Sequence, residues 1–408
     1  MTHPPKKLTG ISPLLFQHPS DRAILAKLEA VPLLPGMVGK LLDVLKEQME
    51  LELLANSFHV TADSLSNLHT IYQRVCATLC VDKPPPLYVA YSPGYNAYTM
   101  GVDEAFIVVH SSMVTDFSDA ELAYVLGHEL GHVMSGHLKY QTLVRLIGGN
   151  VIVQMDGLTK IVSNAVFGPL LYLWARRAEY TCDRVGLLAC QDIHVAHQAN
   201  FRMAGCPRQF IDSLSPDTLV KQAIEFNKRV EGSLISRVFA GANQIFRTHP
   251  RIIERSAELK NWVDEGWFDD IVNGNETTRR KMAEQLDADP QTAEMTLLVI
   301  QNVINCAANE FKMDRSKVAP LIRRAILGGE TLKDTALERI LRIELAINKE
   351  GSDKVRYSVC FLLNKGGQPV AQRFKIMMPG NWDDTPSELR KAFIKQNTDT
   401  IVNVLYSV

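Results

Sequence analysis

Over the first 260 residues apolar positions recur mostly at helical spacing, with one change to a strand-like rhythm. Asp21 to Leu28, Met37 to Ala55 and Ala62 to Leu79 place apolar residues three and four apart, which predicts three helices. Pro84-Pro85-Pro86 ends that pattern, and Leu87 to Val109 reads as a short set of strands. From Ser118 to Tyr140 the helical rhythm returns without a proline, through Leu122, Val125, Leu126, Glu129 and Val133. Ser118 stands three residues before Glu121, the spacing of a capping box. Gly127 and Gly131 weaken this helix by up to about 1 kcal/mol each relative to alanine, so something is expected to approach its backbone closely there. Helices resume to about Leu259, and Trp174 to Leu188 is helical in character.

Trp262 to Asn275 reads as a boundary, with acidic residues and glycines before Thr277. The chain is therefore expected to form a domain over 1–270, comprising helices 20–80, a sheet 87–110 and central helices 118–190. A C-terminal accessory α+β domain is expected over 276–408. In that second part Ala293 to Phe311, Lys317 to Leu327 and Leu332 to Lys349 read as helices. Lys354 to Leu363 and Pro369 to Met378 alternate like the strands of a hairpin turned by Asn364-Lys365-Gly366-Gly367, and Ser387 to Leu405 reads as a closing helix. The fold class expected is α+β, predominantly helical, with a small antiparallel sheet beside the central helices. The C-terminal segment carries no ligand-like cluster, and a structural or dimerising role and a substrate-recruiting or regulatory one both remain open.

Polar residues inside the apolar helix carry the chemistry. His128-Glu129-Leu130-Gly131-His132 is an HExxH pattern. Four residues apart on a helix, the two imidazoles share a face and can reach one metal ion, and Glu129 lies beside it, placed to take a proton from water. Burying these three side chains without partners would be costly. A catalytic zinc needs a third protein ligand and an open position. His137 lies nine residues after His128, on the opposite side of a continued helix, and is expected to be a packing or surface residue. Glu179 and Asp183 are four apart on the next helical run, so one can ligate while the other holds a ligating histidine by hydrogen bonding.

HELGH followed by Glu179-Tyr180-x-x-Asp183 resembles the gluzincin metallopeptidases that include the HtpX-like and CAAX prenyl proteases. Asn96-Ala97-Tyr98, Phe106 to Ser111, Thr248-His249-Pro250 with Arg251 and Arg255, and Phe16 to Arg22 match further segments of that family, so the resemblance spans roughly residues 10 to 270. Cys182 departs from it, where alanine or serine is expected. The resemblance implies a zincin-type active-site helix, one zinc ion bound by His128, His132 and Glu179, Glu129 as general base, and Asp183 orienting a ligating histidine. It implies a metalloendopeptidase that hydrolyses protein or peptide substrates. Asn96, Ala97 and Tyr98 would lie on an edge strand that pairs with an extended substrate, or on an ordinary strand after a turn at Ser92-Pro93-Gly94. His249 has three readings: a catalytic donor to the oxyanion, a fourth ligand that closes the metal site, or a turn residue before Pro250. With the second, the chain would be a self-inhibited or non-enzymatic zinc-binding regulatory protein.

Composition narrows this only modestly. Of 408 residues 46% are hydrophobic and 22% charged, as in a globular chain with a sizeable core. A net charge of -1 gives no general attraction to nucleic acid. No stretch reaches the ~20 apolar residues of a membrane helix, and the N-terminal residues hold no apolar run suited to a signal peptide. Leu143 to Trp174 is nonetheless rich in apolar residues and is expected to form core or a groove wall, with peripheral membrane contact as the other reading. Seven scattered cysteines without a CxxC fit reduced thiols and a cytoplasmic location. Nothing in the sequence specifies an oligomeric state.

Overall fold

A computed structural model describes residues 4–31, 34–101, 104–148, 167–215, 217–231, 251–287 and most of 300–337. Two compact units divide the chain, Met1–Glu276 and Thr277–Val408. The first opens with helices Pro13–Phe16 (α1), Pro19–Glu29 (α2) and Leu34–Asn56 (α3), a strand Ser57–His59 (β1) and helix Ser66–Leu79 (α4). Strands Leu87–Ala90 (β2), Ala97–Gly101 (β3) and Ala105–His110 (β4) follow, then helix Ser111–Asp116 (α5). The HExxH helix is Asp119–Met134 (α6), followed by Leu138–Gly148 (α7) and Phe167–Cys190 (α8). Ile193–Met203 (α9), Arg208–Ile211 (α10), Thr218–Glu231 (α11), Ile252–Asp264 (α12) and Trp267–Asn273 (α13) complete the unit.

The fold is α+β and mostly helical, but the sheet is mixed rather than antiparallel as expected. Its order is β1-β2-β4-β3. β1 and β2 are antiparallel, β3 and β4 are antiparallel, and β2 and β4 run parallel with Leu87 opposite Ile107. The cause lies in β4, whose residues Ala105 to Val109 are all buried. A strand apolar on both faces takes a central place, so β4 inserts between β2 and β3 and leaves β3 on an edge. The three-residue β1, which interrupts the helical pattern, is too short to show an alternation in the sequence.

Ser118 caps α6 as its spacing predicts: Glu121 N donates to Ser118 Oγ at 3.3 Å, and Ser118 N donates to Glu121 Oε2 at 2.7 Å. From Glu121 to His132 every residue of α6 is buried. The expected close approach at its glycines is α8. A Cβ on Gly127 would fall 2.4 Å from Ala189 Cβ, and one on Gly131 2.9 Å from Cys182 Cα. The two helices therefore meet backbone to backbone. The apolar stretch that begins at Leu143 serves as core where it is described: Leu143, Val144 and Leu146 of α7 pack with Leu171 and Trp174 of α8 and Leu28 of α2. Among the described residues no helix is long and apolar enough to cross a membrane.

In the second unit, helix α14 (Glu276–Leu286, whose first residue closes the first unit) buries Met282 and Leu286. Helix α15 (Arg315–Ile326) buries Val318 and Ile322 and is capped by Asp314, which accepts from Ser316 N. The hairpin expected at 354–378, the closing helix at 387–405 and most of the helix at 332–349 lie outside the described residues.

The helix contact yields a stability expectation. Gly131→Ala should cost about 1–3 kcal/mol through overpacking. Gly39→Ala on α3, where a Cβ meets nothing within 4 Å, should gain up to about 1 kcal/mol. Denaturant unfolding of the two variants measures both. A second expectation concerns His197 on α9, which is buried and stacked on Phe201, its Nδ1 without a hydrogen-bond partner among the described residues. Burial, with Lys260 nearby, pushes its pKa down to about 4. The unfolded chain, with a His pKa near 6.5, binds the proton first as pH falls. Stability is thus whole above pH ~6.5 and declines toward pH ~4, by a total on the order of 3 kcal/mol from this group. His197→Leu should show a correspondingly shallower loss across that window in unfolding measured against pH.

Candidate metal centre

His128 and His132 share the face of α6 that meets α8, and Glu179 and Asp183 share the facing side of α8; all four are buried. His128 Nε2 lies 3.6 Å from Glu179 Oε2, and His132 Nε2 lies 3.7 Å from Glu179 Oε1. Both separations are too long for hydrogen bonds. Two ligands held 2.0–2.2 Å from a tetrahedral zinc sit about 3.3–3.6 Å from each other. Two imidazole nitrogens facing one carboxylate at this spacing therefore suit a zinc ion.

The far side of each imidazole is also engaged. His128 Nδ1 is 3.0 Å from Asp183 Oδ1, which also accepts from Tyr124 OH at 2.9 Å. Arg255 of α12 donates from Nε to Asp183 Oδ2 at 2.8 Å and from Nη2 to Oδ1, and its Nη1 lies 3.2 Å from Glu179 Oε2. Burial alone would raise the Asp183 pKa, but the charge and hydrogen bonds of Arg255 outweigh it and hold the carboxyl at about 2. Arg255 is in turn held charged by Asp183 and Glu179 against its burial. In the sequence Arg255 follows the Thr248-His249-Pro250 segment, and no local pattern gives it a role. Two buried carboxylates on one helix face, which require a neighbouring cation, were the signal for it.

His137 is a correction. It was expected on the opposite side of a continuing helix, but α6 ends at Met134. Gly136 adopts φ +70°, Gly136 N donates to Val133 O at 3.2 Å, and His137 N donates to His132 O at 2.9 Å. These bonds form a Schellman cap, which reverses the chain and lays the His137 ring against that of His132. Their Nδ1 atoms are 3.2 Å apart, and His137 Nε2 is 3.0 Å from Asp21 Oδ2 on α2. His137 is therefore a fully buried, hydrogen-bonded neighbour of a candidate ligand. Burial drives the His132 pKa well below its usual value, favouring the neutral ring that ligates a metal.

A second donor competes with Glu179. His128, His132 and Cys182 place ligand-type atoms within 4.8 Å of one another. Cys182 Sγ, however, also lies 3.9 Å from His137 Nδ1, the nitrogen that faces His132 Nδ1. Burial first, and then the nearby carboxylates Glu179 and Asp21, push its thiol pKa well above the usual value. Both Nε2 atoms face the Glu179 carboxylate, at 3.6 Å and 3.7 Å, so the carboxylate suits the third position better.

Glu129 points toward β3. Thr99 Oγ1 donates to Glu129 Oε2 at 2.8 Å and is 3.0 Å from Glu129 O. A cleft of about 240 Å³ runs past His128, Glu129 and Glu179 and is walled by Asn96, Ala97 and Met203. Of the expected substrate residues, Asn96 and Ala97 thus line the cleft. Tyr98, next along the pleat, faces away from it and lies under the guanidinium of Arg145, 4.6 Å from ring centre to Cζ. Thr99, which bonds Glu129, lies one residue beyond the expected Asn96-Ala97-Tyr98 segment. His249, with Thr248 and Pro250, lies outside the described residues.

The chain is similar in sequence to known proteins. The family model described as peptidase family M48 matches residues 64–263. The plastoglobule-localized metallopeptidase 48, chloroplastic, of Arabidopsis thaliana is 34% identical over 252 residues, covering 60% of this chain and 72% of that protein. A protease HtpX homolog of Thiobacillus denitrificans is 27% identical over 205 residues, covering 43% of this chain and 65% of the relative. Another HtpX homolog, from Caldanaerobacter subterraneus, is 24% identical over 226 residues, covering 48% and 71%. No solved structure matches the chain. From the HExxH helix, the facing acidic pair and a relative that shares a third of the aligned residues over most of its length, it follows that this chain belongs to peptidase family M48, a family of zinc-dependent metallopeptidases.

Proposed function

We propose that the chain is a zinc-dependent endopeptidase whose ion is held by His128, His132 and Glu179, with Glu129 as general base. The observation that carries this reading is the convergence of both Nε2 atoms on the Glu179 carboxylate, at 3.6 Å and 3.7 Å, in the cleft that Glu129 also lines. Zinc bound there supplies a Lewis acid that polarises the scissile carbonyl and makes water more acidic.

The protein's own groups do the rest. Glu129 takes the proton of the attacking water and passes it to the leaving amine. Thr99 fixes one oxygen of that carboxylate by hydrogen bonding, which leaves Oε1 for the proton. Asp183, clamped by Arg255 and Tyr124, holds the His128 ring with its Nε2 toward Glu179.

Substrate binding follows from the register of β3. His110 N donates to Asn96 O, so Asn96, Tyr98 and Met100 turn their main-chain polar groups toward β4, while those of Ala97, Thr99 and Gly101 point to the strand's outer edge. Thr142 of α7 occupies both groups of Gly101, accepting from its N at 3.1 Å and donating to its O at 2.8 Å. Arg145 of α7 also donates from Nη2 to Ala97 O at 3.4 Å and Thr99 is fully buried, so the strand is open to an extended peptide only at its Asn96–Ala97 end, which lines the cleft. This favours unfolded or flexible protein segments as substrates, recognised mainly through their backbone.

Casein incubated with the zinc-loaded protein should be cleaved, and a chelator should stop the reaction. Glu129→Gln should lower turnover by roughly a hundredfold or more at unchanged zinc content. Cleavage that persists in that variant at the parental rate, or that survives chelation, rules the mechanism out. Thr99→Val, which removes the hydroxyl at nearly constant shape, should reduce kcat about tenfold with little change in KM, read from steady-state kinetics on a fluorogenic peptide.

A further inference from the structure

The two candidate histidine ligands are steadied differently, and the difference reaches from the turn after the motif to Asp21 on α2. His128 is backed by a carboxylate directly, through Asp183. His132 is backed by another imidazole, His137, and the carboxylate lies one step further away, at Asp21. His132, His137 and Asp21 are 2%, 0% and 0% exposed, so water does not compete for these bonds.

Hydrogen bonding fixes the protons in this row. Asp21 is surrounded by donors: Trp174 Nε1 at 2.9 Å on Oδ1, and Thr181 Oγ1 at 2.6 Å and Gln17 Nε2 at 3.3 Å on Oδ2. An ionised carboxylate only accepts, so the His137 nitrogen beside it, Nε2, carries a hydrogen. A neutral His137 then presents a lone pair at Nδ1. The His132 Nδ1 facing it at 3.2 Å must be the donor, because two facing nitrogens bond only when one of them holds the proton. His132 Nε2 is left with its lone pair, on the side of Glu179. Cys182 Sγ, at 3.9 Å, is a more distant partner for the same His137 nitrogen.

We propose that Asp21 and His137 form a relay that sets the tautomer and ring orientation of His132, making both of them positioning residues for metal binding. This rests on the reading of His128, His132 and Glu179 as the zinc site. Asp21 comes from α2, His137 from the turn after α6, and Trp174 and Thr181 from α8, so the relay joins three elements behind the ligand.

The test compares zinc affinity, by competition with a chromophoric chelator, in the parent, His137→Phe, His137→Gln and Asp21→Asn. Thermal unfolding of each metal-free protein is recorded alongside. His137→Phe keeps the ring volume but offers no acceptor, and should weaken zinc binding 10- to 100-fold, the range typical of lost partners of metal-bound histidines. His137→Gln, whose amide oxygen can accept from His132, should recover part of that loss. A purely structural role would instead lower unfolding temperature and leave the affinity of the folded protein alone, and zinc affinity within about twofold of the parent overturns the relay. If His137→Phe does not fold, Asp21→Asn decides, since it leaves His137 in place and should weaken binding about tenfold; unchanged affinity there also overturns the relay. A parent protein that binds no zinc sinks the underlying reading of the site, whereas a parent that binds tightly beside unaffected variants sinks the relay alone.

Discussion

The close contact of α6 with α8 is the constraint on which the rest of the site depends. Two histidines on one helix cannot complete a zinc site, and a carboxylate on a second helix reaches them only if the backbones nearly touch. Gly127 and Gly131 on one side, and Gly186 on the other, where a Cβ would fall 2.7 Å from Tyr124 O, permit that approach. The glycines reduce helix propensity, and tertiary packing offsets the loss: from Glu121 to His132 α6 is buried throughout. The same contact that stabilises the helix pair brings Glu179 to the imidazoles.

Bringing the helices together also buries several ionisable groups, and the structure balances them. Asp183 and Glu179 share Arg255. Asp21 receives Trp174, Thr181, Gln17 and His137. Glu121, besides closing the cap of α6, accepts from Arg202 Nε at 2.7 Å. Unpaired, each of these carboxylates would be costly in so dry an interior. Paired, they hold His128, His132 and the start of α6 in fixed orientations, which a metal site needs from the residues around its ligands.

The sequence made the central helix legible because several signals coincide there: the capping pair Ser118 and Glu121, the apolar spacing and two otherwise unfavourable glycines. The facing acidic pair was legible for the same reason, since Glu179 and Asp183 keep helical spacing. The mixed sheet was not, because strand order depends on which strand is buried on both faces, a property of β4 that appears only against its neighbours. His137 was misplaced because its position depends on where α6 ends. Gly136 was the available sign, a glycine just past the helix with a histidine after it. Asp21 and Arg255 lie about 110 residues before and 125 after the motif, and no local pattern links them to it. Buried carboxylates without a visible cation were the only hint.

The most direct test of the site is zinc content measured by metal analysis after dialysis, in the parent, Glu179→Ala and Cys182→Ala. If the carboxylate of α8 completes the site, the parent holds one zinc per chain, Cys182→Ala holds the same, and Glu179→Ala loses nearly all of it. Full zinc in Glu179→Ala, or its loss in Cys182→Ala while the protein stays folded, would contradict this arrangement of the metal centre.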